Sequence, residues 1–127
     1  MKLTAAFSEG NQTSLSFDRL EGRLDIRCVH LPGQIPSCDL SVGDAASVAV
    51  GSEQQAAVER LLAEWVAEHI PRHLIKAFET PGMHIRMTAE EEQGFLVWHV
   101  LDSLRSRHRP RPERWGKFAE SSGRTKA

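Results

Sequence analysis

Tyrosine is absent from this chain of 127 residues, cysteine occurs only twice, and aromatic residues make up 6% of the sequence. Two cysteines are far fewer than small secreted disulfide scaffolds carry. No apolar run reaches the roughly 18 residues that a membrane-spanning helix needs, and the N-terminal segment lacks the apolar core of a secretory signal. These absences predict a cytoplasmic protein without membrane contact, in which Cys28 is a buried thiol and Cys38 an exposed one.

The common motifs of catalysis and nucleotide binding are also missing. The chain has no G-x-G-x-x-G, no G-x-x-x-x-G-K-[ST] and no G-x-S-x-G. Cys28, His30 and Cys38 give the pattern C-x-H-x7-C, which lacks the second close pair of ligands that zinc sites usually show. We interpret this pattern as an inward-facing cysteine and a histidine at the end of a strand.

Two further histidine arrangements are weak candidates for chemistry. His69 and His73 have the i, i+4 spacing of helical metal ligands, but a proline between them breaks the helix and no carboxylate stands between them. His99 and Asp102 are spaced i, i+3 on the polar edge of a predicted helix, with no nucleophile implied nearby. We therefore expect no catalytic residue, no metal and no cofactor. A small enzyme or metal protein that uses the histidines is the alternative.

The N-terminal half has the alternating pattern of half-buried strands. Apolar residues alternate with polar ones at Leu3, Ala5 and Phe7, and again over 14–20 and 23–31. Gly10-Asn11-Gln12 and Glu21-Gly22 are turn signals, and the segment 32–37 is a loop. The segments 39–42 and 45–50 flank Gly43-Asp44 and predict a second short hairpin.

The C-terminal half has the spacing of helices. A stripe of apolar residues at 3.6-residue period predicts a helix over 53–70, begun by a capping box at Ser52–Gln55 and ended by Pro71. A short helix follows around Leu74–Phe78, and alternation at 83–87 predicts one more strand. Thr88–Glu91 is a second capping box, which starts a helix over 89–105.

This last helix has an unusually wide apolar surface. Its apolar residues cover an arc of about 200°, whereas a surface helix needs a stripe of only roughly 100°. Either the helix is central, between the sheet and another helix, or part of it meets another chain. The residues of the predicted oligomer interface are Phe95, Trp98, Val100 and Leu104.

Charge divides the chain into an acidic body and a basic tail. Residues 1–104 carry 8 Lys and Arg against 15 Asp and Glu, whereas residues 105–127 carry 8 against 2. Such asymmetry indicates an interaction segment. In the tail, arginines alternate with small residues and prolines, and two aromatic residues follow. The predicted partner-binding residues are Arg105, Arg107, Arg109, Arg111, Arg114, Trp115, Lys117 and Phe118.

Strands that mostly precede helices indicate an α+β fold. We expect a single α+β domain over 1–104, with an antiparallel sheet from the N-terminal half packed against two main helices and a short one, followed by the basic Pro/Arg-rich tail over 105–127. The function predicted is that of a small non-enzymatic binding protein, a regulator, inhibitor or adaptor that occupies a site on a protein partner and that forms a homodimer. Nucleic-acid binding through the arginine-rich tail is the alternative partner interaction. A third interpretation is that the tail docks on the surface of the chain's own domain through Trp115 and Phe118.

Overall fold

The computed structural model describes residues 1–34 and 36–108, and in these residues a five-stranded sheet is followed by three helices. The strands are β1 (Lys2–Glu9), β2 (Gln12–Asp18), β3 (Leu24–Val29), β4 (Ser37–Val42) and β5 (Val48–Ala49). The helices are α1 (Ser52–His69), α2 (Arg72–Glu79) and α3 (Ala89–His108). This order confirms the predicted α+β class, with the sheet in the N-terminal half.

The five strands form an antiparallel sheet in chain order, β1-β2-β3-β4-β5. Because side chains alternate along a strand, Leu15 and Ile26 lie buried on the inner face. On the outer face, the Ser16 hydroxyl donates a hydrogen bond to the Asp25 carboxylate over 2.6 Å. Gly10 closes the first hairpin with a φ of 60°, which L-residues rarely adopt. The sheet therefore has one packed face and one solvated face.

Helix α3 lies at the centre of the packing, in contact with α1 on one side and with β1 and β2 on the other. Val97, Val100 and Leu104 are fully buried, and the polar residues His99 and Ser103 are buried with them. The wide apolar arc of this helix is thus covered by the chain's own sheet and its own first helix, as the central-helix alternative predicts. His99 does not lie on a polar edge, which corrects the prediction for that residue.

Strand β1 contains a β-bulge near its start. Leu3 pairs with Phe17 and Ala5 pairs with Ser16, so Thr4 is an extra residue that has no paired residue on β2. The Thr4 hydroxyl donates a hydrogen bond to the Ser16 carbonyl oxygen over 3.1 Å. A bulge of this kind changes the face to which the following side chains point.

Beyond the bulge, the side chains of β1 change faces. Ala6 stands opposite Leu15 on the inner face, whereas Phe7 stands opposite Ser14 on the outer face and is 53% exposed. The alternation of Leu3 with residues 5 and 7 predicted one common face for all three. That prediction is wrong, because one inserted residue shifts the alternation by half of its two-residue period and so moves the following side chains to the opposite faces.

The ends of α3 and α1 agree with the sequence signals, with one extension. The Thr88 hydroxyl accepts a hydrogen bond from the Glu91 amide, and the Glu91 carboxylate accepts one from the Thr88 amide, which is the predicted capping box. Helix α1 ends at His69, just before the proline. Helix α3 continues to His108, three residues beyond the predicted end, so the first residues assigned to the tail are helical.

The start of α1 differs from the predicted capping box. The N-cap is Gly51, whose amide donates to the Gln54 side-chain oxygen over 3.2 Å. Gln55, the residue that the S-x-x-Q pattern assigns to the cap, is buried, and its side-chain nitrogen Nε2 donates to the Leu104 carbonyl oxygen over 2.6 Å and to the Glu59 carboxylate over 3.0 Å. Gln55 therefore joins the start of α1 to the far end of α3.

Two further expectations are wrong. Segment 83–87 forms no strand, because its half-buried residues Ile85 and Met87 belong to a connection between α2 and α3 that pairs with no sheet edge. Cys28 and Cys38 are not thiols but form a disulfide across β3 and β4, with their Cα atoms 4.1 Å apart. Cys38 is 3% exposed, because β4 begins at Ser37 and its alternation directs Cys38 to the inner face.

Candidate functional site

The outer edge of β1 is one of the two edges of the sheet and the longer one, because β1 has eight residues and β5, at the other edge, has two. Among the described residues β1 pairs with β2 alone, and therefore one row of its backbone N–H and C=O groups is not used by the ladder. Proteins usually protect such edges with charges, prolines or bulges. In β1 the interior positions 3–8 carry neither charge nor proline, and the bulge at Thr4 protects only the beginning. The stretch from Ala5 to Glu9 is left as a regular, uncharged edge up to its last residue.

An apolar groove of about 440 Å³ lies beside this edge. Residues 6–8 of β1 form one wall. The opposite wall comes from the start of α3 and the residue before its cap, with Phe95, Leu96 and Met87 as its large apolar side chains. Of the residues that the structure describes, Glu92 is the one charged residue in the lining of the groove, and Gln93 is another long polar side chain there. The groove can therefore accept apolar side chains and offers one carboxylate.

The second notable cluster is a pair of histidines, of which His99 is buried and His30 is half-buried. His30 follows β3 and His99 lies in α3, with ring centroids 4.6 Å apart, and the ring of Phe95 stacks on His99 at 5.9 Å. Burial lowers the pKa of His30. Burial, with the repulsion from His30 as a second cause, lowers the pKa of His99 to about 3. Both rings are therefore neutral near pH 7.

These histidines and cysteines do not form a metal centre in this structure. The sulfurs of Cys28 and Cys38 are bonded to each other and are not available as thiolate ligands. Within residues 1–34 and 36–108, no group of three or more His, Cys, Asp or Glu side chains is arranged to hold a metal ion. The predicted interpretation of Cys28 as an inward cysteine and of His30 as a residue at the strand end agrees with their positions.

The other histidine pair is separated by the helix break. The His69 ring stacks on Trp65 with centroids 4.4 Å apart, and its Nδ1 lies 2.9 Å from the Trp65 carbonyl oxygen. His73 is exposed on α2, beyond Pro71. His69 therefore lies in the last turn of α1, where its ring packs on Trp65 of its own helix.

The residues of the predicted oligomer interface are mostly covered within one chain. Val100 and Leu104 have no exposed surface, and Trp98 is 7% exposed. Phe95 is half-buried and lines the groove beside β1. Self-association stays a prediction, and of these four residues only Phe95 reaches the candidate site.

The predicted partner-binding residues of the tail fall largely beyond the region for which the structure gives positions. Arg105 is exposed near the end of α3, and Arg107 lies in the last turn of that helix. The division of the chain into a domain over 1–104 and a tail over 105–127 stays a prediction. Outside the described residues lie Arg109, Arg111, Arg114, Trp115, Lys117 and Phe118.

Sequence reasoning did not find the β1 edge or its groove. The signal that was present is the uncharged, proline-free run between Lys2 and Glu9. Two features cannot be predicted from that run of residues. The bulge that exposes Phe7 depends on the pairing with β2, and the groove depends on where the start of α3 lies.

No known protein family matches the chain, and no curated protein or solved structure is significantly similar to it. In the part of the chain that the structure describes, no helix has the length and apolar character needed to cross a membrane.

Proposed function

We propose that this chain is a non-enzymatic binding protein that takes up an extended segment of a protein partner along β1. The observation that carries the proposal is the open β1 edge with an apolar groove beside it. An extended peptide that joins a sheet edge gains affinity from backbone hydrogen bonds and specificity from pockets for alternate side chains. By occupying that segment of its partner, the protein would act as a regulator, inhibitor or adaptor does.

Three properties of the edge support strand addition. The backbone from Ala5 to Glu9 keeps a regular register with β2, so its outward N–H and C=O groups follow the regular alternation that a new antiparallel strand can pair with. The exposed ring of Phe7 supplies apolar surface on the outer face. The groove supplies apolar surface on the inner face. A strand laid on this edge would thus bury side chains on both of its faces.

A variant that fills the groove tests the proposal. Ala89 lines the groove and is exposed at the first position of α3, so Ala89→Phe occupies the groove without entering the core. Ala57→Phe, at an exposed position on α1, is the matched control. Full-length protein and both variants serve as bait for capture from a cell extract, with and without nuclease, after urea unfolding shows that the three have equal stability.

The expected result is a protein partner that survives nuclease, binds wild type and Ala57→Phe equally, and binds Ala89→Phe at least tenfold more weakly when the purified pair is titrated. Equal retention by Ala89→Phe would show that the groove is not the binding site. Complete loss of partners on nuclease treatment would favour nucleic acid as the ligand.

Nucleic acid is the second candidate ligand, because eight Lys and Arg lie within residues 105–127. Each neutralised phosphate contributes about −0.9 to the slope of log K against log salt on duplex DNA, or about −0.7 on single strands. A segment that uses five or six cations therefore gives a slope of roughly −4 to −5. Arg109→Ala and Arg111→Ala would each reduce that slope by about one unit.

A location in the cytoplasm stays a prediction.

A further inference from the structure

The groove beside β1 has features that specify the chemistry of the segment it takes. We infer that this segment, in the partner that the proposed function requires, carries a large apolar residue next to β1 and a Lys or Arg within reach of Glu92. The inference rests on the proposed function, because it names the occupant of the same edge.

The register of β1 limits where the partner strand lies. The bulge at Thr4 interrupts the regular backbone, so a continuous ladder has only Ala5 to Glu9 to pair with. About five residues of the partner therefore form the new strand. Antiparallel pairing is favoured at this edge, since it is slightly more stable per residue and continues the pattern of the sheet.

Alternation then assigns the side chains of the partner to two environments. A residue opposite Ala6 or Ser8 points to the inner face, on the side of the groove walled by Leu96 and Met87. A residue opposite Phe7 points to the outer face and lies beside that exposed ring. The inner position favours a large aliphatic or aromatic side chain, and the outer one favours an aromatic or β-branched side chain.

The charge of the groove favours one kind of residue next to the apolar residue of the partner segment. Among the described residues that line the groove, Glu92 is the one that carries a charge, and it is exposed. Glu9, also exposed, ends the regular part of β1. A Lys or Arg close to the apolar residue in sequence can approach Glu92, whereas an Asp or Glu there would be repelled. The occupant is thus an apolar strand with a basic flank, not an acidic one.

A library of random nine-residue peptides displayed on phage, selected on the full-length protein, tests this inference. The expected consensus is a large apolar residue with Lys or Arg close by in sequence. A synthetic consensus peptide is then titrated against Glu92→Gln and against Glu90→Gln, the matched control, which removes an equal charge from the same helical turn outside the groove. We expect about twofold to fivefold weaker binding to Glu92→Gln and unchanged binding to Glu90→Gln, as a solvent-exposed ion pair allows.

The outcomes separate this inference from the proposed function. Peptides that Ala89→Phe rejects, but that have no basic consensus or bind both glutamine variants equally, would overturn the inference and leave the proposed function in place. The absence of any peptide sensitive to Ala89→Phe would contradict both. Sedimentation equilibrium on the full chain tests whether a second copy of this chain occupies the edge. A dimer that Ala89→Phe dissociates would assign the edge to a second copy and overturn the inference.

Discussion

The clearest pH dependence of stability in this protein comes from one buried side chain, that of His99. His99 is 8% exposed, and burial holds its pKa at about 3, whereas an unfolded chain restores the ordinary value near 6.5. Below pH 6.5 the unfolded state binds a proton that the folded state does not, so stability falls as the pH falls from about 6.5 toward 3. The stability that neutral His99 preserves is therefore fully present above pH 6.5.

We expect His99→Phe to remove this part of the pH dependence, because phenylalanine keeps the stacking surface and cannot bind a proton. At pH 4.5 the wild-type protein should have lost about 2–3 kcal/mol more of its stability than the variant, each relative to pH 7. Urea unfolding at the two pH values measures the difference. His84→Gln, at an exposed site, should follow the wild type. Equal losses in wild type and His99→Phe would contradict the burial argument.

Helices and strands are held together here by a few specific contacts as well as by apolar burial. Trp65 contributes the largest buried ring of α1, in edge contact with Phe17 of β2 at 6.2 Å and stacked on His69. We expect Trp65→Ala to cost about 3–5 kcal/mol, the range for removal of a large buried ring. Thermal or urea unfolding measures it, with Glu64→Ala on the exposed face as the control. A loss below about 1 kcal/mol would contradict burial of this face.

Gln55 is the polar contact that joins the two main helices. Gln55→Ala leaves the buried carbonyl oxygen of Leu104 without that amide donor, and we expect a loss of about 1–3 kcal/mol. Gln54→Ala removes only a bond to the amide of Gly51, which water can replace, and we expect about 0.5–1 kcal/mol. The two variants are compared by urea unfolding. Equal losses would mean that the bond between the helices adds nothing beyond capping.

The fold as a whole is closed by one covalent link across the middle of the sheet. The disulfide joins residues ten apart in the chain, and a loop of this length implies about 3 kcal/mol from the reduced freedom of the unfolded state. We expect the urea midpoint to fall in reductant, and the double variant Cys28→Ala with Cys38→Ala to show the reduced value with or without reductant. A wild-type midpoint that does not respond to reductant would show that the two sulfurs are thiols in solution.

The sequence alone determined most of the elements, because local patterns decide them. The period of α1, the capping box of α3 and the alternation of β2 and β3 each depend on residues close together in the chain. Hairpin turns between successive strands then favour neighbouring antiparallel pairing, and so the sheet and the α+β class followed from the same signals.

Tertiary structure alone decided the features that make a site. The bulge at Thr4 is a property of the pairing between β1 and β2, and it exposes Phe7 although the one-dimensional pattern places Phe7 with Leu3. The segment 83–87 alternates like a strand but pairs with no strand of the sheet. The bond between Gln55 and Leu104, the neutral pair His30 and His99, and the groove beside β1 all join residues far apart in the chain. Such contacts depend on how elements pack, which local periodicity does not encode.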